Sequence, residues 1–258
     1  MFNFRTVTTL FFIFLLGMNL LMLLGYSISW MAYLFLFAGY LGISIGASFF
    51  METNFHMISL TKGATREPLL SLTFDDGPDP VMTPKVLDIL KEHDCKATFF
   101  LIGKNLAGNE AVVQRIHEEG HWIGTHSFSH APMLDFYPPK IIRKELMDSS
   151  DAVLKIIGRK PKMFRPPYGV INPLVKKALH GLNYHVIGFS NRLFDTVTKD
   201  PEKILERFAK QLSPGDIVLF HDRNADIEII LKNILNEIQQ RNFKVVPLDQ
   251  LLNIQPYD

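Results

Sequence analysis

The sequence predicts an α/β fold, a (β/α) barrel or closely related open α/β sheet of about seven strands, behind an N-terminal hairpin of two transmembrane helices. Three observations predict it. No Asp, Glu, Lys or Arg occurs between Thr6 and Met51. Beyond that stretch, strand-like apolar runs alternate with helical periodicity, the pattern of a parallel sheet. Finally, polar residues suited to chemistry recur at or just after strand ends, which gather at one rim in a βα barrel.

The charge-free stretch is too long for one span of about 20 residues. It reads as two, about 7–26 and 30–50, joined by Ser27-Ile28-Ser29. A signal peptide has an apolar region of only about 7–15 residues. Tyr26, Trp30 and Tyr33 suit a membrane interface, and Gly39, Gly42 and Gly46 suit close helix packing. Arg5 precedes the spans and Lys62 and Arg66 follow them, so the charge bias across the membrane is nearly balanced. Two spans put both ends on one side. A connector (52–67) leads to a domain over 68–258.

Within the domain, strands are expected at 69–74, 97–102, 121–124, 162–164, 184–189, 216–220 and 243–247. The predicted helices are 83–93, 110–119, 139–157, 173–180, 201–211 and 227–240. Asn109 caps the second of these and Gly120 stops it; a proline stands near the start of several others. The net charge of +1 gives no case for nucleic-acid binding, and the single cysteine, Cys95, excludes an internal disulfide. Cys95 reads as a structural residue at a strand edge.

Three segments together read as one metal-dependent hydrolytic site. Asp75-Asp76-Gly77-Pro78 offers adjacent carboxylates after a buried strand. His126 and His130 stand at i, i+4, a spacing that brings both imidazoles to one ion from a single helical turn. His221 ends the apolar run 217–220. One aspartate with two histidines is a common set for zinc or a related ion, with positions left open. The remaining acid and imidazole suit proton transfer. Each segment alone also reads as a polar turn or strand cap. In Arg165-Pro166-Pro167-Tyr168-Gly169 the prolines fix the backbone, which aims an arginine and a backbone N–H. Asp195 lies in a polar loop. His56, His93, His117, His121, His180 and His185 read as structural or surface residues, and Arg143-Lys144-Glu145 as a solvated helix face.

With these residues in order, the chain from about Leu69 to Leu252 resembles the polysaccharide deacetylase family, the NodB-type carbohydrate esterases. Five motifs carry the resemblance: Thr-Phe-Asp-Asp-Gly (73–77), His-Ser-x-x-His (126–130), Arg-Pro-Pro-Tyr (165–168), an acidic motif ending at Asp195, and Leu-x-His (219–221). Lys96–Gly103 resembles the family's second strand.

The resemblance implies a distorted (β/α) barrel of about seven strands. It implies Asp76, His126 and His130 as metal ligands, usually for Zn2+, with Co2+, Ni2+ or Mn2+ as alternatives. Asp75 is implied as general base, Arg165 as its charge partner and the Tyr168 N–H as oxyanion donor. His221 is implied as general acid with Asp195 as its partner, and Leu219 and Pro167 as substrate-lining residues. The expected activity is N-deacetylation of an amino-sugar polymer or glycoconjugate: peptidoglycan, a chitin-like chain, a surface polysaccharide or a lipid-linked glycan. The domain is then expected on the periplasmic or extracellular side of the membrane. O-acetyl ester hydrolysis, a non-sugar amidase and a tethered binding protein with a decayed site are the alternatives. The chain departs from the family where the fourth motif commonly reads Asp-Trp and this sequence has Asp195-Thr196.

Overall fold

The computed structural model describes residues 3–198 and 200–258. Two helices, α1 (Phe4–Leu23) and α2 (Trp30–Ala47), form the hairpin. The first starts and ends three residues earlier than its predicted span, and the second starts at the predicted Trp30 but ends three residues earlier. Side-chain caps set both starts: Asn3 Oδ1 accepts from the Thr6 N–H, and Ser29 Oγ from that of Met31. Both helices are long and apolar enough to cross a membrane, and Val7 is the one buried residue in them.

The domain is a curled parallel sheet with helices on its outer face. Its strands are β1 (Leu69–Asp75), β2 (Ala97–Leu101), β3 (Trp122–Thr125), β4 (Met163–Phe164), β5 (His185–Val186), β6 (Asn191–Arg192), β7 (Asp216–His221) and β8 (Lys244–Val245). Seven of them run in the order β5-β4-β3-β2-β1-β7-β6, and β8 pairs with the start of β1. The helices are α3 (Met82–Glu92), α4 (Glu110–Glu118), α5 (Pro139–Ile157), α6 (Pro173–Leu179), α7 (Pro201–Gln211), α8 (Ile227–Gln240) and α9 (Leu248–Leu252).

Two elements were not predicted. The expected strand 184–189 ends at Val186, and the chain forms β6 where a polar loop was expected. The C-terminal turn α9 closes the bottom of the barrel: Leu248 packs there with Phe100, Met163, Ile187 and Ile217. His121 lies just before β3 rather than in it.

Alternation along the strands divides the sheet into two faces. Phe74 pairs in register with Phe99 and Phe220, and its ring stacks between theirs at 5.0 Å on each side. These rings belong to the outer core under the helices, with Leu72, Leu87, Leu90 and Leu231. The neighbouring residues Thr73, Asp75, Leu219 and His221 therefore face inward. Phe100 also faces inward, with Gly124 beside it: a Cβ on Gly124 would lie 2.5 Å from that ring.

The connector is not a free tether. The Leu60 N–H donates to the Val186 carbonyl (2.8 Å), the Leu60 carbonyl accepts from Gly188 (2.9 Å), and the Gly63 N–H donates to Gly215 (2.8 Å). It bridges the gap between β5 and the start of β7.

Candidate active site

Register brings Asp75 beside His221, at the C-terminal ends of β1 and β7. Asp75 is 3% exposed, and its Oδ1 accepts a bond from Arg165 Nη1 at 2.7 Å. Arg165 is among the most deeply buried side chains. It is held on every side: Nη1 also donates to Thr73 Oγ1 (2.9 Å), Nη2 to the Gly188 carbonyl (2.8 Å), and its guanidinium lies 4.2 Å from the Phe100 ring centroid. Such partners are what a buried guanidinium requires. Burial pushes the Asp75 carboxyl above the ordinary range, and Arg165 and His221 only partly oppose it.

After β1 the chain turns sharply. Asp76 takes a left-handed backbone (φ 75°) that aspartate tolerates. Asn105 Nδ2 donates to the Asp76 carbonyl (3.0 Å) and the Ile102 N–H to that of Gly77 (2.8 Å). Against these fixed points Asp76 Oδ1 lies 3.7 Å from His126 Nε2 and 3.5 Å from His130 Nε2. The three ligand atoms all lie within 4.8 Å of one another.

The two histidines do not share a helical turn, which corrects the expectation from their spacing. Residues 126–130 form a loop with Ser127 and His130 both at positive φ (65° and 49°). Local bonds make this shape: the His130 N–H donates to Ser127 Oγ, and the Phe128 and Ser129 amides donate to Glu145 Oε2 at 3.0 and 2.7 Å. Glu145, read from the sequence as part of a solvated face, instead anchors the loop that carries His126 and His130. The missed signal was its place on α5 beside the buried stripe Ile142, Leu146 and Ser149.

The residues fit a divalent ion. The His126 Nδ1–H donates to the Arg165 carbonyl at 2.8 Å, which leaves Nε2 as the lone-pair atom facing Asp76. Burial keeps His126 well below the usual imidazole pKa, so it is neutral, as a ligand must be.

His221 Nδ1 donates to Asp195 Oδ1 at 2.8 Å, and its backbone N–H to Oδ2 at the same distance. Asp195 is itself buried, with its carbonyl taken by Asn224 Nδ2. Next to it, Asp222 is wholly buried on the opposite side of β7. It accepts from Thr83 Oγ1 and fills the space where Gly77 lacks a Cβ. Burial raises its pKa to about 7.

Asp75, Asp76, His126, His130, Arg165, Tyr168, Leu219 and His221 line one cavity. Asp195 sits behind His221. Pro166, not Pro167, lines the wall, and Pro167 is buried beneath it. Tyr168 has a left-handed backbone (φ 61°), and its ring packs at 5.0 Å from that of His130. Phe189, Arg192 and Thr196 complete the mouth, with no tryptophan at the last position.

The sequence model described as polysaccharide deacetylase matches residues 62–187. A peptidoglycan-N-acetylglucosamine deacetylase of Bacillus cereus is 34% identical over 191 residues, 72% of this chain and 89% of that protein. A peptidoglycan-N-acetylmuramic acid deacetylase of Bacillus subtilis is 32% identical over 194 residues, 74% of this chain and 73% of its own length. Among solved structures, the chitin deacetylase of Colletotrichum lindemuthianum superposes with a TM-score of 0.72 at 28% identity. That match covers 78% of this chain and 95% of the fungal one.

Proposed function

Because this chain belongs to the polysaccharide deacetylase family, whose relatives hydrolyse amide bonds, we propose a membrane-anchored, metal-dependent N-deacetylase of an acetylated amino-sugar glycan. The observation that carries this reading is the convergence of Asp76, His126 and His130 on one point beside Asp75, with His221 across the same cavity. The two apolar helices support membrane anchoring. Relatives named for peptidoglycan and chitin support an amino-sugar chain as substrate. A domain outside the cytoplasm accords with such a substrate.

Asp76, His126 and His130 would hold the ion, and a borderline set of one oxygen and two imidazoles suits zinc. Such an ion would supply Lewis acidity, lowering the pKa of a water to about 7 and polarising a carbonyl. Asp75, basic for a carboxyl and aimed by Arg165, takes a proton from the attacking water. The Tyr168 N–H donates to the oxyanion that develops as the carbonyl carbon becomes tetrahedral. Leu219 gives the acetyl methyl an apolar wall. His221 delivers a proton from Nε2 to the departing nitrogen, because an amide does not expel an unprotonated amine. Asp195 holds Nδ1–H so that Nε2 points at the cavity. Acetate and a free amine result.

The test is acetate release from N-acetylglucosamine oligomers, set against acetylated xylan, with metal analysis of each protein. Asp75→Asn is expected to lose activity by about 10²–10⁴-fold and to keep its metal. His126→Ala is expected to lose both. Undiminished acetate release by Asp75→Asn would remove that residue from the base role. Faster cleavage of the xylan esters than of the oligomers would replace the amidase by an esterase.

A further inference from the structure

The end of the hairpin is built into the wall of the active site. Just past α2, the Ser48 carbonyl accepts from the Ile171 N–H at 2.9 Å, three residues after Tyr168. Ser48 Oγ and the Ser44 carbonyl both bond His56 Nε2, at 3.0 and 3.1 Å. The Phe4 N–H donates to the Phe55 carbonyl at 2.9 Å, so the start of α1 meets the same place. Met51 is buried against Ile171 and Val175, with its Sδ 3.8 Å from where Gly169 would carry a Cβ. The turn at 25–29 is therefore the far end of the hairpin, and its near end abuts the cavity-lining loop.

A second observation concerns the surface around that junction. Phe49, Phe50, Met133, Phe136, Tyr137 and Tyr168 are 54, 55, 65, 49, 37 and 53% exposed. They lie on segments tied to one another: Asn172 Nδ2 donates to the Asp135 carbonyl at 2.7 Å, and Ile171 is bonded to Ser48. Large apolar and amphipathic side chains gathered on loops mark an interaction surface, and this one is continuous with the ends of two membrane-length helices. Tyrosine and phenylalanine at that height suit the headgroup layer.

We propose that the rim of the active site rests on the bilayer surface and that the site takes an acetylated amino sugar carried on a membrane lipid. This rests on the reading of the chain as a membrane-anchored deacetylase. A flexible tether would let the domain range into a distant polymer. The bonded junction holds the cavity mouth at the height of the first sugars of a lipid-linked glycan, and the apolar rim fixes its tilt.

The test uses the full chain in mixed phosphatidylcholine and phosphatidylglycerol vesicles. One substrate is N-acetylchitotetraose coupled through its reducing end to a dialkylglycerol in the same vesicles, and the other is the free tetraose. The expected result is at least about tenfold faster acetate release from the lipid-coupled form. Surface concentration alone gives some preference, so the deciding variant is Met133→Ser with Phe136→Ser, which leaves the anchor and the catalytic residues untouched. It is expected to lose most of the lipid-coupled rate and to keep the rate on free tetraose. Equal rates on both substrates, or a rim variant indistinguishable from the parent, would overturn the membrane-seated site while leaving the deacetylase intact. No acetate from either substrate would overturn the deacetylase reading itself, and this proposal with it.

Discussion

In the proposed mechanism His221 carries a proton that Asp75, its neighbour across the strands, lacks. The surroundings of each side chain set that division. Burial lowers the His221 pKa, but the bond and charge of Asp195, with Asp75 and Asp76 nearby, outweigh it and leave the net shift upward. An acid of raised pKa stays protonated below that value and fails as pH climbs through it. The alkaline limb of kcat/KM therefore lies above the ordinary imidazole value of about 6.5. Asp195→Asn keeps the shape but removes the charge. It is expected to slow the reaction by roughly 10–100-fold and to move the alkaline limb to lower pH, as read from kcat/KM profiles on N-acetylglucosamine oligomers. An alkaline limb at the parent's position would show that Asp195 does not set the proton affinity of His221. At this scale the sequence was informative, because Asp75 and His221 each close a run of buried strand residues and strand polarity brings such ends together. Thr73, two residues before Asp75 and on the same face, was readable by the same alternation, but its bond to Arg165 was not.

The elements differ in how much of them local sequence dictates. Strands with long apolar runs, β1, β2 and β7, lie close to where alternation and length put them. Short pieces such as β6 and α9 were invisible, since two strand residues or five helical ones hold their shape through distant partners: Asn191 and Arg192 pair with β7, and Leu248 plugs the barrel. The same distinction explains the loop 126–130. An i, i+4 histidine pair is compatible with a helix, yet Glu145 from α5 takes both loop amides and Ser129 Oγ, which holds a non-helical turn in place. Bonds to a charged acceptor are worth about 1.5–3 kcal/mol, enough to choose between loop shapes. Glu145→Ala is accordingly expected to leave the helices in place and to weaken divalent-metal affinity by about 10–100-fold. Circular dichroism and competition with a chromophoric chelator measure the two separately. Parent-like affinity would mean that the loop holds its shape without the carboxylate.

Across the whole molecule, the rim that carries the chemistry and the floor that closes the barrel respond to acid through different groups. At the floor, His121 is 1% exposed, accepts the Ala97 N–H on Nδ1 at 3.1 Å, and has no hydrogen-bond partner for Nε2 among the described residues, the nearest carboxylate oxygen, Glu119 Oε2, lying 4.0 Å away. Burial, with Lys96 and Arg115 adding repulsion and Glu119 opposing, lowers its pKa to about 4. The unfolded chain takes up that proton near 6.5, so the folded state is at full strength above pH 6.5 and weakens as pH falls toward 4. The shift corresponds to about 3 kcal/mol, or roughly 6–12 °C in Tm for a domain of this size. His121→Asn keeps a hydrogen-bond acceptor for Ala97 and cannot titrate. Thermal melts of the detergent-solubilised chain from pH 7 to pH 4 should show a steep fall for the parent and a shallower one for the variant. This floor lies at the opposite end of β3 from His126 and the proposed metal site, so metal loading should raise both melting curves and leave the difference between them unchanged. Curves that fall in parallel would assign the acid sensitivity to other groups, His126 first among them.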